Sequence, residues 1–431
     1  MKFSDITYYI FKRYIKLVHD TMLLRKRYVF GIENIPKQGE RYFIVGNHQN
    51  TGNDPLNILF ALPFRIRMCA MARANLFEIR PFITSFLHWV GMVPAYRFGW
   101  EGASGLDSNF NSFQQVAERI NAGFPFVVFP EAGHTQGQYI GRFTTGTVRI
   151  AFSAAELNGW QEDIKILPTA LHYSDYFEVQ SNIIWMVAQP VSLKPYYEEY
   201  QQHPATVMRK LTHQIHDTIQ QMMLDEGVED YETKDFLRLS AFNVQGRSKL
   251  EQPELLTRDK AFIARLREHP LYAEIIAKAE TLRQTLLRMG TTDQIVAQRP
   301  GIFRLLATLL VLLLFLPAWI VCLWPHLLCY RLPLLLLKTD KMFTNTYRYV
   351  FSVLIIYPLA ALLTLLVSGL GFGLWWPAVL WILLWAPMGK FAWQYYKLLV
   401  YFKRVVRYFI NKRMIKDVDD LRGQIASLLN N

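Results

Sequence analysis

The sequence predicts an α/β fold, followed by a polar helical segment and then by apolar helices long enough to cross a lipid bilayer. Three observations predict it. Short apolar runs at residues 42–45, 126–129 and 164–171 alternate with helical spacing at residues 55–62, 110–121 and 147–157, the pattern of a sheet with helices packed around it. Residues 192–300 turn polar and charged and contain no long apolar run. Two later stretches, 25 residues at 305–329 and 41 residues at 349–389, contain no Asp, Glu, Lys or Arg, and each exceeds the roughly 20 residues that span hydrocarbon.

Taken in order, the chain divides into residues 1–30, 31–195, 196–300, 301–389 and 390–431. Residues 1–28 never run seven positions without a charged or polar break, so they do not read as a secretory leader. They interleave Ile6, Tyr9, Ile10, Tyr14, Leu17 and Val18 with Lys12, Arg13, Lys16, Arg25, Lys26 and Arg27, which makes a basic amphipathic helix. Two positions fit such a helix: flat on a bilayer surface, or packed on the neighbouring domain. Residues 31–195 hold the alternating strands and helices. Within the charged segment, residues 271–289 have helical periodicity and stop at Gly290, a C-cap residue.

The 41-residue stretch is long enough for a hairpin broken near Gly369, Gly371, Gly373 and Pro377, so two or three crossings are expected. Trp375, Trp376, Trp381 and Trp385 are expected to include interface anchors of the kind aromatic belts use. Pro317, Pro325 and Pro333 allow the first stretch to be kinked or re-entrant. The tail carries Lys390, Lys397, Lys403, Arg404, Arg407, Lys412, Arg413 and Lys416, which places it on the cytoplasmic side together with the α/β domain. A basic loop at Arg331, Lys338, Lys341 and Arg348 would fall outside in a simple two-span arrangement. A re-entrant first stretch removes that conflict. The chain is therefore expected to be an integral protein of the cell (inner) membrane.

Composition agrees with work at a membrane. The chain is 52% hydrophobic and 14% aromatic, and its net charge of +12 suits anionic headgroups or phosphorylated small molecules. No nucleic-acid motif is present and much of the basic excess lies beside the apolar stretches, so nucleic acid is not expected as a partner. Cys69, Cys322 and Cys329 are too few and too scattered for a disulfide framework or a zinc site. His213 and His216 near Asp217 read as a solvated helix face, without the partner cluster a metal needs.

Four blocks carry chemistry. In Asn47-His48-Gln49-Asn50-Thr51-Gly52-Asn53-Asp54, a histidine follows the first apolar strand and an aspartate comes six residues later. An imidazole can take a hydroxyl proton while a carboxylate on its other nitrogen fixes the tautomer. The same residues also fit a plainer reading, with Asp54 capping a helix that has Pro55 at its first position. The second block, Gly91 to Arg97, ends a strand with an arginine, suited to bidentate phosphate recognition. The third, Phe126 to Thr135, runs from a strand into Pro130-Glu131 and includes His134. The fourth, Ile164 to Leu171, carries Pro168, awkward in a central strand unless it marks a bulge or a site edge.

In this order, over roughly residues 32–191, the four blocks resemble the glycerolipid acyltransferase superfamily. The resemblance implies an acyltransferase-type sheet and a membrane-bound O-acyl transfer. The acyl donor would be a thioester of acyl carrier protein or coenzyme A, and the acceptor glycerol-3-phosphate or 1-acylglycerol-3-phosphate, giving lysophosphatidate or phosphatidate. It implies no cofactor and no metal. His48 and Asp54 would be catalytic; Arg97 would hold the acceptor phosphate; Glu131, with Gly133 and Asn47, would complete the acceptor site. There are departures. Five residues separate His48 from Asp54 where four is commonest in the family, Ala132 stands at the third-block glycine with Gly133 next to it, and bases are missing around residues 143–146, where Arg142 or Arg149 would have to serve. Two other functions fit: a membrane-anchored lipid-binding or transport protein in which His48 and Asp54 are structural, and an O-acyltransferase of an aminolipid.

Overall fold

A computed structural model describes residues 3–95, 104–131, 133, 137–244, 251–337 and 340–430. Arg97 and His134 lie outside the described residues. The chain forms two compact units. One comprises Met1–Leu17, Lys26–Phe177 and Ser181–Met223; the other comprises Val18–Arg25, Glu178–Gln180 and Leu224–Asn431.

The first unit is built on an eight-stranded sheet of β1 (Leu24–Phe30), β2 (Arg41–Gly46), β3 (Cys69–Arg73), β4 (Met92–Ala95), β5 (Phe126–Val128), β6 (Ile164–Tyr173), β7 (Ser181–Val187) and β8 (Val191–Ser192). Their order is β1-β7-β6-β2-β5-β3-β4, with β8 also on β6. Strands β6, β2, β5, β3 and β4 run parallel, while β7 and β8 oppose β6. Parallel strands are covered on both faces, so they read as unbroken apolar runs. Tyr42 to Val45 are accordingly at most 2% exposed. One face packs under helices α4 (Ser104–Asn121), α5 (Gly146–Leu157) and α7 (Pro204–Met222), where Val116, Ile120, Val148, Phe152, Leu211 and Ile215 share a core with Phe43, Phe126 and Ile166.

The expected strands and helices are present, with shifted ends. Helix α2 (Asn53–Ala61) starts two residues before Pro55, and α4 starts at Ser104 rather than 110. β6 runs two residues past Leu171. Pro168 does sit in a central strand, where the reason is local: it accepts the Ala188 N–H at 2.9 Å and has no N–H to return, at the point where β7 has ended. The N-terminal helix α1 (Phe3–Met22) packs through Tyr8, Lys12 and Ile15 and exposes Ile6, Ile10 and Leu17. Buried Lys12 donates to the Phe64 and Ile66 carbonyls at 3.0 and 2.9 Å.

The second unit is helical. Tyr272–Met289 ends at Gly290, whose left-handed φ of 66° supplies the expected C-cap. Beneath it, the Arg238 guanidinium, 2% exposed, is ringed by Glu226, Asp235 and Asp259, and Asn243 donates to Asp259 at 2.9 Å. The first apolar stretch forms not one helix but two, Ile302–Cys322 and His326–Leu336, parted around Pro325. The second stretch breaks at the expected glycines: helical backbone over Lys341–Leu370 gives way to Trp375–Ile410 across Gly373, at φ 67°. Ile302–Cys322 and Lys341–Leu370 are long and apolar enough to cross a membrane. Leu312 is the one buried residue of the former, and most of its apolar side chains are exposed.

Removing Arg238 would leave a group of buried carboxylates without their cation, and breaking such a pair costs about 3–5 kcal/mol. Arg238→Ala is expected to lower the unfolding midpoint of the protein in detergent accordingly. A wild-type midpoint would contradict this account of the cluster.

Candidate active site

β2 and β5 are adjacent and parallel, in the register Phe43↔Phe126 and Val45↔Val128. Their C-terminal ends therefore lie side by side, and the segments that follow them meet. The Glu131 carboxylate accepts the His48 backbone N–H at 3.0 Å through Oε1 and the Gly141 N–H at 3.3 Å through Oε2. The segment after Gly141 is tied to the same turn, since the Thr144 N–H reaches the Pro130 carbonyl at 2.9 Å.

The loop from Asn47 to Gly52 turns tightly into α2, with Thr51 in the left-handed region at φ 44°, a costly conformation for a β-branched residue. The turn brings Asp54 back under His48. His48 Nδ1 lies 2.8 Å from Asp54 Oδ2, and an ionised carboxylate can only accept, so the ring donates from Nδ1. Asp54 Oδ2 also accepts the Asn50 N–H at 2.8 Å, and Oδ1 accepts the Tyr173 hydroxyl at 2.7 Å. The Asp54 side chain is wholly buried, whereas that of His48 is 18% exposed. Of the pair, only the imidazole can meet a substrate. Its ring stacks on Phe129, with centroids 4.2 Å apart and planes at 9°. Because α2 begins at Asn53, Asp54 is not the N-cap that the plainer reading supposed; Gly52 is.

An imidazole so held, at the C-terminal edge of a parallel sheet, can take a proton on its other nitrogen. Residues 26–172, which contain His48, Asp54 and Glu131, match the family model described as Acyltransferase. The chain carries an acyltransferase domain. Among solved structures, a 1-acyl-sn-glycerophosphate (LPA) acyltransferase, PlsC, from Thermotoga maritima is similar at 18% identity, with 49% of this chain and 80% of that chain covered and a TM-score of 0.34. No curated relative matches the sequence.

Within the acyltransferase domain the remaining site residues fall out differently. Asn47 is fully buried, and its side chain spans the Leu171 backbone, accepting its N–H at 2.8 Å and donating to its carbonyl at 2.9 Å, with a further bond to Gln49. It thus prolongs the β2–β6 pairing past the end of β2 and fixes the residue next to His48. Among the described residues, the nearest atom to a Cβ added at Gly133 is the Glu131 carbonyl oxygen at 4.0 Å. Of the two replacement cations, exposed Arg142 follows Gly141, whose N–H reaches Glu131, whereas Arg149 lies on α5, where its charge acts on Tyr200. Sequence reasoning missed Tyr173 and Tyr176, whose hydroxyls donate to Asp54 Oδ1 and Gln49 Oε1 at 2.7 Å each, and Asn57, which donates to the Tyr173 hydroxyl. Their one signal is position: the register Ile44↔Leu167 puts odd-numbered β6 residues, Tyr173 among them, on the Ile44 face.

Asn47→Ala would strand the buried N–H and C=O of Leu171, at about 1–3 kcal/mol for each unsatisfied group. Its melting temperature is expected to fall. A variant that melts like the parent would show that Asn47 does not support the loop.

Proposed function

We propose that this acyltransferase is membrane-bound and moves a fatty acyl group from acyl carrier protein or coenzyme A to glycerol-3-phosphate or 1-acylglycerol-3-phosphate, in phospholipid biosynthesis. The observation that carries the reading is the 2.8 Å contact between His48 Nδ1 and the buried Asp54 inside the matched domain. In the proposed step His48 Nε2 takes the proton of the acceptor hydroxyl as its oxygen attacks the thioester carbonyl. The C–O bond forms, the C–S bond breaks, and the imidazolium returns the proton to the leaving thiolate. Asp54 holds the ring in the required tautomer throughout.

Arg97 is assigned to the acceptor phosphate, with Arg142 as a second cation and Glu131 and Gly133 at the rim. Glu131 already braces the His48 backbone, so its part is as much to shape the acceptor site as to touch the acceptor. Asn47 acts on the site through the loop it holds. Residues 31–195 are the catalytic part and residues 196–300 an accessory part. The exposed apolar side chains of Ile302–Cys322 support membrane insertion, with the domain and the basic residues of 390–431 on the cytoplasmic face of the inner membrane. Such a placement would hold the site where a lipid acceptor and product reside.

The test is acyl transfer by the purified protein, with each thioester offered against each phosphorylated acceptor. One pair should be turned over, and His48→Ala should lower kcat about a hundredfold or more, as loss of a general base does. In the same assay Arg97→Lys, which keeps charge but loses the planar fork, should raise the acceptor KM about tenfold. Near-parental transfer by His48→Ala, or no transfer to either acceptor from either donor, would overturn the reading.

A further inference from the structure

Tyr173 lies one residue beyond the matched acyltransferase segment, in the last position of β6. We propose that it is a positioning residue of the acyl-transfer site, which locks the Asp54 carboxylate in the orientation that serves His48, with Asn57 and Arg27 setting the direction of its hydrogen bond. This rests on the assignment of His48 as the base.

The carboxylate is held unevenly. His48 and Asn50 both donate to Oδ2, and Tyr173 is the hydrogen-bond partner of Oδ1 among the described residues. A carboxylate gripped by one oxygen can swing and exchange its oxygens. A donor on the other side prevents that.

The Tyr173 hydroxyl is committed to this task by its own surroundings. Its oxygen accepts from Asn57 Nδ2 at 3.0 Å, so its single proton is directed to Asp54. Asn57 cannot reverse its amide cheaply. Nδ2 also donates to the Asn53 carbonyl at 2.9 Å, and Oδ1 faces Arg27 Nη2 at 3.5 Å. Arg27 on β1, Asn57 on α2, Tyr173 on β6 and Asp54 on α2 therefore form a chain in which each donor points toward the carboxylate, an arrangement that strengthens each bond in turn. Full burial and then the charge of Asp54 raise the Tyr173 phenol well above its ordinary range, so it stays protonated and remains a donor. Phenylalanine would fill the same space. The hydroxyl is what the site requires.

The experiment is a double-mutant cycle read in acyl transfer. Tyr173→Phe should lower kcat about tenfold, the cost of losing a hydrogen bond to a charged group, and leave both KM values within about twofold. In an Asp54→Ala background the same change should move kcat by less than about twofold, since the oxygen it holds is gone. A parental kcat for Tyr173→Phe, or an equal loss in both backgrounds, would overturn the proposal and leave Tyr173 as packing. If Tyr173→Phe does not fold, Asn57→Ala frees the phenol to turn and should lower kcat a few-fold at unchanged KM; an unchanged kcat would likewise overturn it. His48→Ala run alongside separates the two claims. If it is inactive, an additive cycle removes Tyr173 alone, whereas an active His48→Ala removes the base assignment and Tyr173's role with it.

Discussion

A carboxylate with no solvent contact must find its hydrogen bonds inside the protein, and Asp54 is such a carboxylate. Burying an unpaired charge is prohibitively costly, so three donors converge on it from two parts of the chain: the His48 ring and the Asn50 backbone in one loop, and the Tyr173 phenol on β6. None of the three comes from the helix that carries Asp54. The loop after β2 and the end of β6 have to be in place together, which makes the β2–β6 pairing, prolonged by Asn47, a condition of the site. The histidine's orientation is the consequence.

Much of this was legible in the sequence because it is local. A strand, a turn and a helix start lie within a few residues of His48, and apolar runs at 42–45 and 126–129 announce buried strands. The four blocks pointed to acyl transfer, and the family model that matches residues 26–172 is described as Acyltransferase. Strand order was not legible. That β2 lies between β5 and β6 follows from packing over a hundred residues of chain, and no periodicity encodes it. For the same reason Tyr173 and Asn57 escaped notice: a tyrosine at the end of an apolar strand looks like any core aromatic until the register places it against Asp54. The resemblance put Asn47 in the acceptor site, while its buried amide is occupied by the Leu171 backbone.

In the helical unit the lesson differs. The composition of residues 196–300 announced helices without revealing Arg238 and its carboxylates, since Glu226 and Asp259, 12 and 21 positions away, reach it only through packing. The apolar stretches announced themselves by length. Their breaks at Pro325 and Gly373 obey elementary backbone chemistry, one residue lacking an N–H and the other free to adopt positive φ.

The central claim is that His48 carries its proton on Nδ1, toward Asp54, and keeps Nε2 for the acceptor hydroxyl. Nitrogen and proton NMR of isotope-labelled histidine in the full chain tests it directly, with the His48 signal assigned by its absence from His48→Gln. The account predicts a proton on Nδ1 at low field, as expected for a hydrogen bond to a carboxylate, no proton on Nε2 under assay conditions, and loss of the low-field signal in Asp54→Ala. A proton on Nε2 with none on Nδ1, or a low-field signal that survives removal of Asp54, would contradict it.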